Sequence, residues 1–326
     1  MVDGGPSVAK AANDPGQGTA IVTDAQILSS QDLPRAMAWL LAPGDGEREA
    51  SPQQVAGFLA SAAVGGGELR GYRLAEQGAI RALLATLVLP GRVALVFVPG
   101  RMPGCDAEAM RHLSAAVFGL PGMAGLHYAQ ALVEEQNGAR IERLRALGFT
   151  RLTELLYLER EVTHPWVDKS EAALDWLPYS AADHSRFASL MARTYEDSRD
   201  CPELTGIRPM DDVIASHKAA GPFEPGLWQM ALRDGAPAGC ILLGRIGPTA
   251  LEIVYMGVAP SERGRGLGQA LLRRGFDLAR RARAQWLTLA VDARNDHARR
   301  LYERFGFRQV AARGAYLKRP PLVERA

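Results

Sequence analysis

Two stretches of this chain are versions of one another. Asn137–Phe149 reads NGARIERLRALGF, and Asn295–Phe307, 158 residues later, reads NDHARRLYERFGF. They align without gaps, with Asn on Asn, Gly148 on Gly306 and Phe149 on Phe307. Each opens at a turn-forming Asn, continues as an arginine-rich helix and closes at a glycine suited to a helix C-terminus. Each then runs into a strand pattern, RLTELLYLER in the first case and RQVAARGAYLKR in the second. Upstream, VALVFVPG (Val93–Gly100) corresponds loosely to EIVYMGVAP (Glu252–Pro260). Three features in one order at nearly one spacing imply a duplicated unit, and the fold has to be one that two copies can build.

A length of 326 residues suits two domains of about 150 residues each. The expected division is a tail over 1–22, a first domain over 23–163, a linker over 164–172 and a second domain over 173–326. The tail is rich in Gly, Pro, Asp and Asn and has no apolar core, so it reads as disordered rather than as a signal peptide. Every hydrophobic run is broken by charge, Gly or Pro, so no membrane span is expected. Cys105, Cys201 and Cys240 are scattered and odd in number, which suggests neither a disulfide framework nor a zinc site. These features together point to the cytoplasm. A formal net charge of +2 gives no bulk electrostatic case for nucleic acid, although arginines cluster from Arg263 onward.

Hydrophobic periodicity predicts an α/β chain with a mixed sheet. In the first half, helices are expected near 31–42, 51–64 and 106–118, and strands near 69–76, 79–89, 92–98 and 125–133. The repeated helix–strand unit follows. In the second half a strand at LDWLPYS and helices near 181–194 and 209–219 precede a hairpin whose turn is Asp234-Gly235. Strand 249–258, helix 266–283, strand 286–292, helix 296–304 and strand 307–318 complete it. Consecutive strands followed by strand–helix alternation place helices against a mixed sheet.

The segment MGVAPSERGRGLGQALL (Met256–Leu272) carries the chemistry. A strand ends, a loop with three glycines and two arginines follows, and an apolar-periodic helix begins. Helix N-termini expose unpaired N–H groups and a partial positive charge, so they bind anions. Glycines let an anion approach the backbone. A P-loop requires Gly-Lys-Ser/Thr, which is absent. A dinucleotide fingerprint requires a third glycine where Gln269 stands. The pattern R-x-x-G-x-G is met by Arg263, Gly266 and Gly268.

With the second motif, NDHARRLYERFGF, this loop resembles the GNAT superfamily of acetyl-CoA-dependent acyltransferases. The resemblance spans essentially all of the second half and implies two tandem GNAT folds that pack as a pseudo-dimer. It implies acetyl-CoA as co-substrate, its pyrophosphate against the amides of Arg263, Gly264, Arg265, Gly266, Leu267 and Gly268. Its pantetheine arm would pair like an added strand along Met256, Gly257 and Val258. Asn295 would touch that arm, with an ordinary N-cap role as the alternative. Tyr302 matches the family's general-acid position and would protonate the leaving thiolate. Glu252, near the start of the same strand, stands where some members place a base. A carboxylate in a half-apolar strand has a raised pKa, which suits that task. No metal ligation is implied, since the six histidines show no ligand spacing.

The acceptor side is read from the acidic loop Thr194–Gly206, whose Glu196, Asp197, Asp200 and Glu203 suit a cationic acceptor or simply solvent. His217 and Trp228 read as packing residues. The first half departs from the pattern: Asp106 stands at the last glycine position of its loop, and Leu144 stands where Tyr302 does. It therefore reads as a degenerate copy. The expected function is acetyl or acyl transfer to a primary amine of a small molecule or peptide. A non-catalytic acyl-CoA sensor is the alternative, and nucleic-acid binding is disfavoured.

Overall fold

The computed structural model describes residues 25–44, 48–162 and 174–319. The expected tail (1–22) and linker (164–172) lie outside them. The first half comprises β1 (Gln26–Ile27), α1 (Leu33–Leu40), α2 (Pro52–Val64), β2 (Glu68–Glu76), β3 (Ala79–Leu89), β4 (Val93–Phe97), α3 (Ala107–Phe118), β5 (Tyr128–Val133), α4 (Gly138–Ala146) and β6 (Thr150–Glu161). The second repeats that order with β7 (Asp175–Pro178), α5 (His184–Thr194), α6 (Met210–Lys218), β8 (Trp228–Arg233), β9 (Ala236–Arg245), β10 (Ala250–Val258), α7 (Leu267–Arg281), β11 (Trp286–Asp292), α8 (Asp296–Arg304) and β12 (Arg308–Lys318). Local chemistry sets the boundaries. Ser51 and Gln54 form a reciprocal capping box at α2, and Asn137 and Asn295 cap α4 and α8.

The described strands form one twelve-stranded sheet, ordered β1-β2-β3-β4-β5-β12-β6-β11-β10-β9-β8-β7. The order is symmetric about its centre, and the centre is an exchange. The last strand of the first half, β6, pairs with β11, and the last strand of the second half, β12, pairs with β5. The cores follow the sheet rather than the chain. Leu156 and Leu158 of β6 are buried with the second half, and Tyr316 of β12 is buried with the first. On the central β6–β12 ladder, Leu155 faces Arg313, and these two are also mates at the 158-residue spacing. The pseudo-twofold axis therefore passes between them.

Helices cover both faces. Gly239 on β9 turns toward Leu267 and Leu271 of α7, whereas Gly257 on β10 turns toward Thr194 of α5. Thus α7 lies on one face and α5 on the other. Helix α6 also seats on the first half: Asp212 accepts from Arg92 at 2.6 Å and lies 2.7 Å from His127 Nε2, and Ser216 donates to the Pro90 carbonyl.

Candidate active site

In the second half, β10 and β11 are parallel partners only from Ala250↔Trp286 to Ile253↔Leu289. A bulge at Val254 shifts the register of β10 on β9, after which β10 leaves β11 and a slot opens. Ala259 donates to Ala238 beside β9, so by alternation Met256 and Val258 turn their N–H and C=O groups toward the slot. These are two of the three positions expected to hold an extended ligand.

Beyond the slot a short 3₁₀ turn, Pro260–Glu262, leads into the glycine loop. Gly264 and Gly266 have φ of +74° and +80°, a region glycine enters without strain, and neither has an atom within 4 Å of where a Cβ would stand. No side chain caps α7 at Gly266, and the N–H groups from Gly264 to Gly268 have no partner within the described chain. The loop thus presents a run of free donors at the positive end of a fifteen-residue helix. Gly268 has a different reason to be glycine: its missing Cβ faces Leu301 of α8 at 3.1 Å. Arg263 is turned inward, its guanidinium donating to the carbonyls of Thr194, Glu196 and Val258. Arg265 is exposed and pairs with Glu262 at 2.9 Å.

Tyr302 is buried on α8, edge-on to Phe307. Burial pushes its phenol well above the usual range, and Asp200 adds to the effect. Asn295 caps α8 through Ala298 N–H, and its side chain favours the ionised form of nearby Asp200. Asp200 in turn accepts the Asp292 N–H at 2.9 Å. Because Ala293 donates toward β6, that Asp292 N–H points into the slot.

The loop that follows α5 is therefore a strap whose four acids stay on the surface. Burial works against the Asp292 carboxylate, but hydrogen bonds from Arg294, Thr153 and the Cys201 N–H outweigh it and hold it at about 2. Glu203 forms a two-point pair with Arg294 at 2.6 and 2.9 Å. Of the two alternatives for this loop, a cationic acceptor or solvent, the exposed positions of Asp200 and Glu203 fit solvent, and both are already engaged, Asp200 by the Asp292 N–H and Glu203 by Arg294. The sequence shows four acids in a loop but not the pair of buried Asp292 and exposed Arg294 that recruits two of them. His217 and Trp228 do pack: the imidazole lies against Tyr255, and Trp228 against Tyr179 and Phe223.

Glu252 sits on β10, on the face of α5 and α6, since Gly244 opposite it turns toward the Ala220 carbonyl that follows α6. It is half-buried, makes no hydrogen bond among the described residues, and burial raises its pKa. The sheet thus separates Glu252 on one face from Tyr302 on the other, with the slot between. No group of metal-ligating side chains occurs among the described residues, and no described helix is long and apolar enough to cross a membrane.

The slot, the free-amide loop and the mixed sheet define a class. The acetyltransferase (GNAT) family model matches residues 191–307. The N-alpha-acetyltransferase RimI of Mycobacterium tuberculosis is 32% identical over 136 residues, 39% of this chain and 82% of that protein. The chain belongs to the GNAT acetyltransferase family, whose members are acyltransferases using acetyl-CoA as co-substrate.

Within that class it is similar to a mycothiol acetyltransferase of Beutenbergia cavernae, 30% identical over 184 residues, or 52% of this chain. The match spans 60% of that relative's length. Two solved structures share the fold across nearly the whole chain. A GCN5-related N-acetyltransferase from Sphaerobacter thermophilus has a TM-score of 0.61 at 18% identity, covering 91% of this chain and 95% of its own. A tandem GNAT protein of the clavulanic acid biosynthesis pathway has a TM-score of 0.57 at 14% identity, covering 93% and 100%. The fold is a tandem GNAT arrangement.

Proposed function

We propose that the second half, residues 173–326 completed by strand β6, transfers an acetyl group from acetyl-CoA to a primary amine. The observation that carries this reading is the slot, with free amides at Gly264–Gly268 and Tyr302 on one side and a half-buried Glu252 on the other. The donors of Gly264, Arg265, Gly266 and Leu267 suit a pyrophosphate, while Arg263 shapes the loop and Gly268 lets α7 approach α8. The exposed edge at Met256 and Val258 suits a pantetheine arm, and Gly257 between them faces α5. Asn295 would reach that arm with its side-chain nitrogen while its oxygen keeps the α8 cap.

Bound acetyl-CoA supplies the thioester whose C–S bond breaks as the new C–N bond forms. Glu252 takes the proton that the acceptor ammonium must lose before attack, directly or through water. Tyr302 gives the proton that the departing thiolate needs, and stays protonated beforehand because burial disfavours its anion. An N–H of the Met256–Val258 edge polarises the carbonyl, an oxyanion-type role. The first half carries no second centre. A small acceptor fits better than a folded protein, because α6 borders the Glu252 face and is fixed against the β3–β4 turn.

The test is release of free CoA from acetyl-CoA with a panel of primary amines, with the acetylated amine identified by mass. Turnover that depends on the amine is expected. Tight acetyl-CoA binding without turnover on any amine would favour the sensor reading.

A further inference from the structure

The pseudo-twofold axis makes it possible to ask, position by position, where the two halves differ around the acceptor face. Three differences cluster. The β4–β5 and β10–β11 registers make Leu95 the mate of Glu252. At the 158-residue spacing, Ala315 is the mate of Tyr157 and Leu155 is the mate of Arg313. In each pair the small or apolar member belongs to one side, and the polar member faces the second half's slot.

The polar three are neighbours. Glu252 registers with Thr288, and Thr288 with Glu159, so Tyr157, two residues from Glu159, shares the Glu252 face. Arg313 registers with Leu155 and shares it too, its guanidinium lying 5.1 Å from the Tyr157 ring centroid in a cation–π contact. Glu252 is close enough to act on the Tyr157 phenol electrostatically. The row runs carboxylate, phenol, guanidinium. Arg313 is exposed and pairs with no carboxylate among the described residues. Tyr157 reaches this face only because the first half lends its last strand to the second.

We propose that Arg313, braced on Tyr157, is an oxyanion subsite of the acceptor pocket, so that the acceptor carries a carboxylate or phosphate several bonds from its amine. This deepens the acetyltransferase reading and rests on it. Glu252 and Tyr157 stand two strands apart, about 10 Å at the backbone, and Arg313 one strand further. The two charged groups of the acceptor are therefore well separated, unlike those of an α-amino acid. A guanidinium lying against an aromatic ring is held in place while its N–H donors stay available to a ligand. On the first half's side of the axis the mates are leucine and alanine, so the subsite exists once.

Matched probes test it: 4-aminobutyrate and 6-aminohexanoate against their carboxamides, which keep the length and the amine but lose the anion. With acetyl-CoA, the wild type should favour the acids by about tenfold in kcat/KM, the effect of one charge-assisted hydrogen bond. Arg313→Gln should reduce that preference to about twofold or less, with the acids losing more turnover than the carboxamides. Tyr157→Leu, which removes the ring beside the guanidinium, should weaken the preference partially through the acceptor KM. Equal use of acids and carboxamides by the wild type, or a preference that survives Arg313→Gln, overturns the subsite. Calorimetric binding of the same probes with CoA present separates the two claims. Acid-selective binding lost in Arg313→Gln, without turnover on any amine, keeps the subsite and defeats the transfer reading.

Discussion

The two halves open the same slot and treat it differently. In the first half β4 and β5 also part after three paired positions, Val93↔Tyr128 to Leu95↔Gln130. There Arg140 of α4 crosses the gap and donates to the carbonyls of Val98, Leu40 and Ala42, while Arg143 takes that of Pro99. Their mates on α8 are Ala298 and Leu301. The second half makes the equivalent staple, from the end of α5 to the end of β10, with Arg263 of the loop, which leaves the slot clear. The helix after the slot differs in the same sense. Asp106 caps α3, accepting Ala109 N–H at 2.7 Å, and pairs with Arg81. That N–H bond, with help from Arg81, holds its carboxyl below the usual carboxylate range. A helix end satisfied by its own carboxylate has little to offer a phosphate. One scaffold thus yields a closed copy and an open one through where an arginine is anchored and which residue caps a helix.

The largest expected break of this asymmetry is at the acid. Tyr302→Phe keeps the buried ring and should lower turnover by about 10²–10⁴-fold with acetyl-CoA affinity little changed. Steady-state rates with a good acceptor check it, and wild-type turnover would reduce Tyr302 to a packing residue. Next is the base. With Glu252 as the proposed base, activity needs it ionised, and burial raises its pKa, so kcat/KM should fall as pH drops through a value above the ordinary glutamate range. Glu252→Gln should cost about 10²-fold and remove that acid limb. A pH profile of unchanged shape in this variant would assign the limb to another group. The smallest catalytic effect is expected in the closed half. Arg140→Ala strands carbonyls in the filled slot and should cost about 1–3 kcal/mol of stability, read as a lower denaturation midpoint, with turnover per folded molecule preserved.

Much of this contrast is legible in the sequence. The repeat, the glycine loop entering α7, Tyr302 on α8, and the substitutions Asp106 and Leu144 all lie in short segments whose chemistry is local. The strand exchange is not legible. β6 and β12 have similar alternating patterns, and a period of two says which residues face inward but not which neighbour a strand joins. The same holds for the arginines. Arg140, Arg143 and Arg263 look like solvated charges until the fold brings carbonyls from distant segments to them. The engagement of Asp200 and Glu203 depends on buried Asp292 and its neighbour Arg294, about ninety residues later. Gly268 reads as a ligand-contact glycine because its neighbours do, and only the α7–α8 approach shows the space it vacates.

The asymmetry is most directly tested by counting. Gly266 has open space where a Cβ would stand, so Gly266→Glu meets no protein atom there and adds a charge and a strained φ to the loop, at about 1–2 kcal/mol for the latter. Calorimetric titration of the wild type with acetyl-CoA should give one molecule per chain, and the same titration of Gly266→Glu should give none. Two equivalent molecules per chain, or one that still binds the variant, would contradict the assignment of an open second half and a closed first.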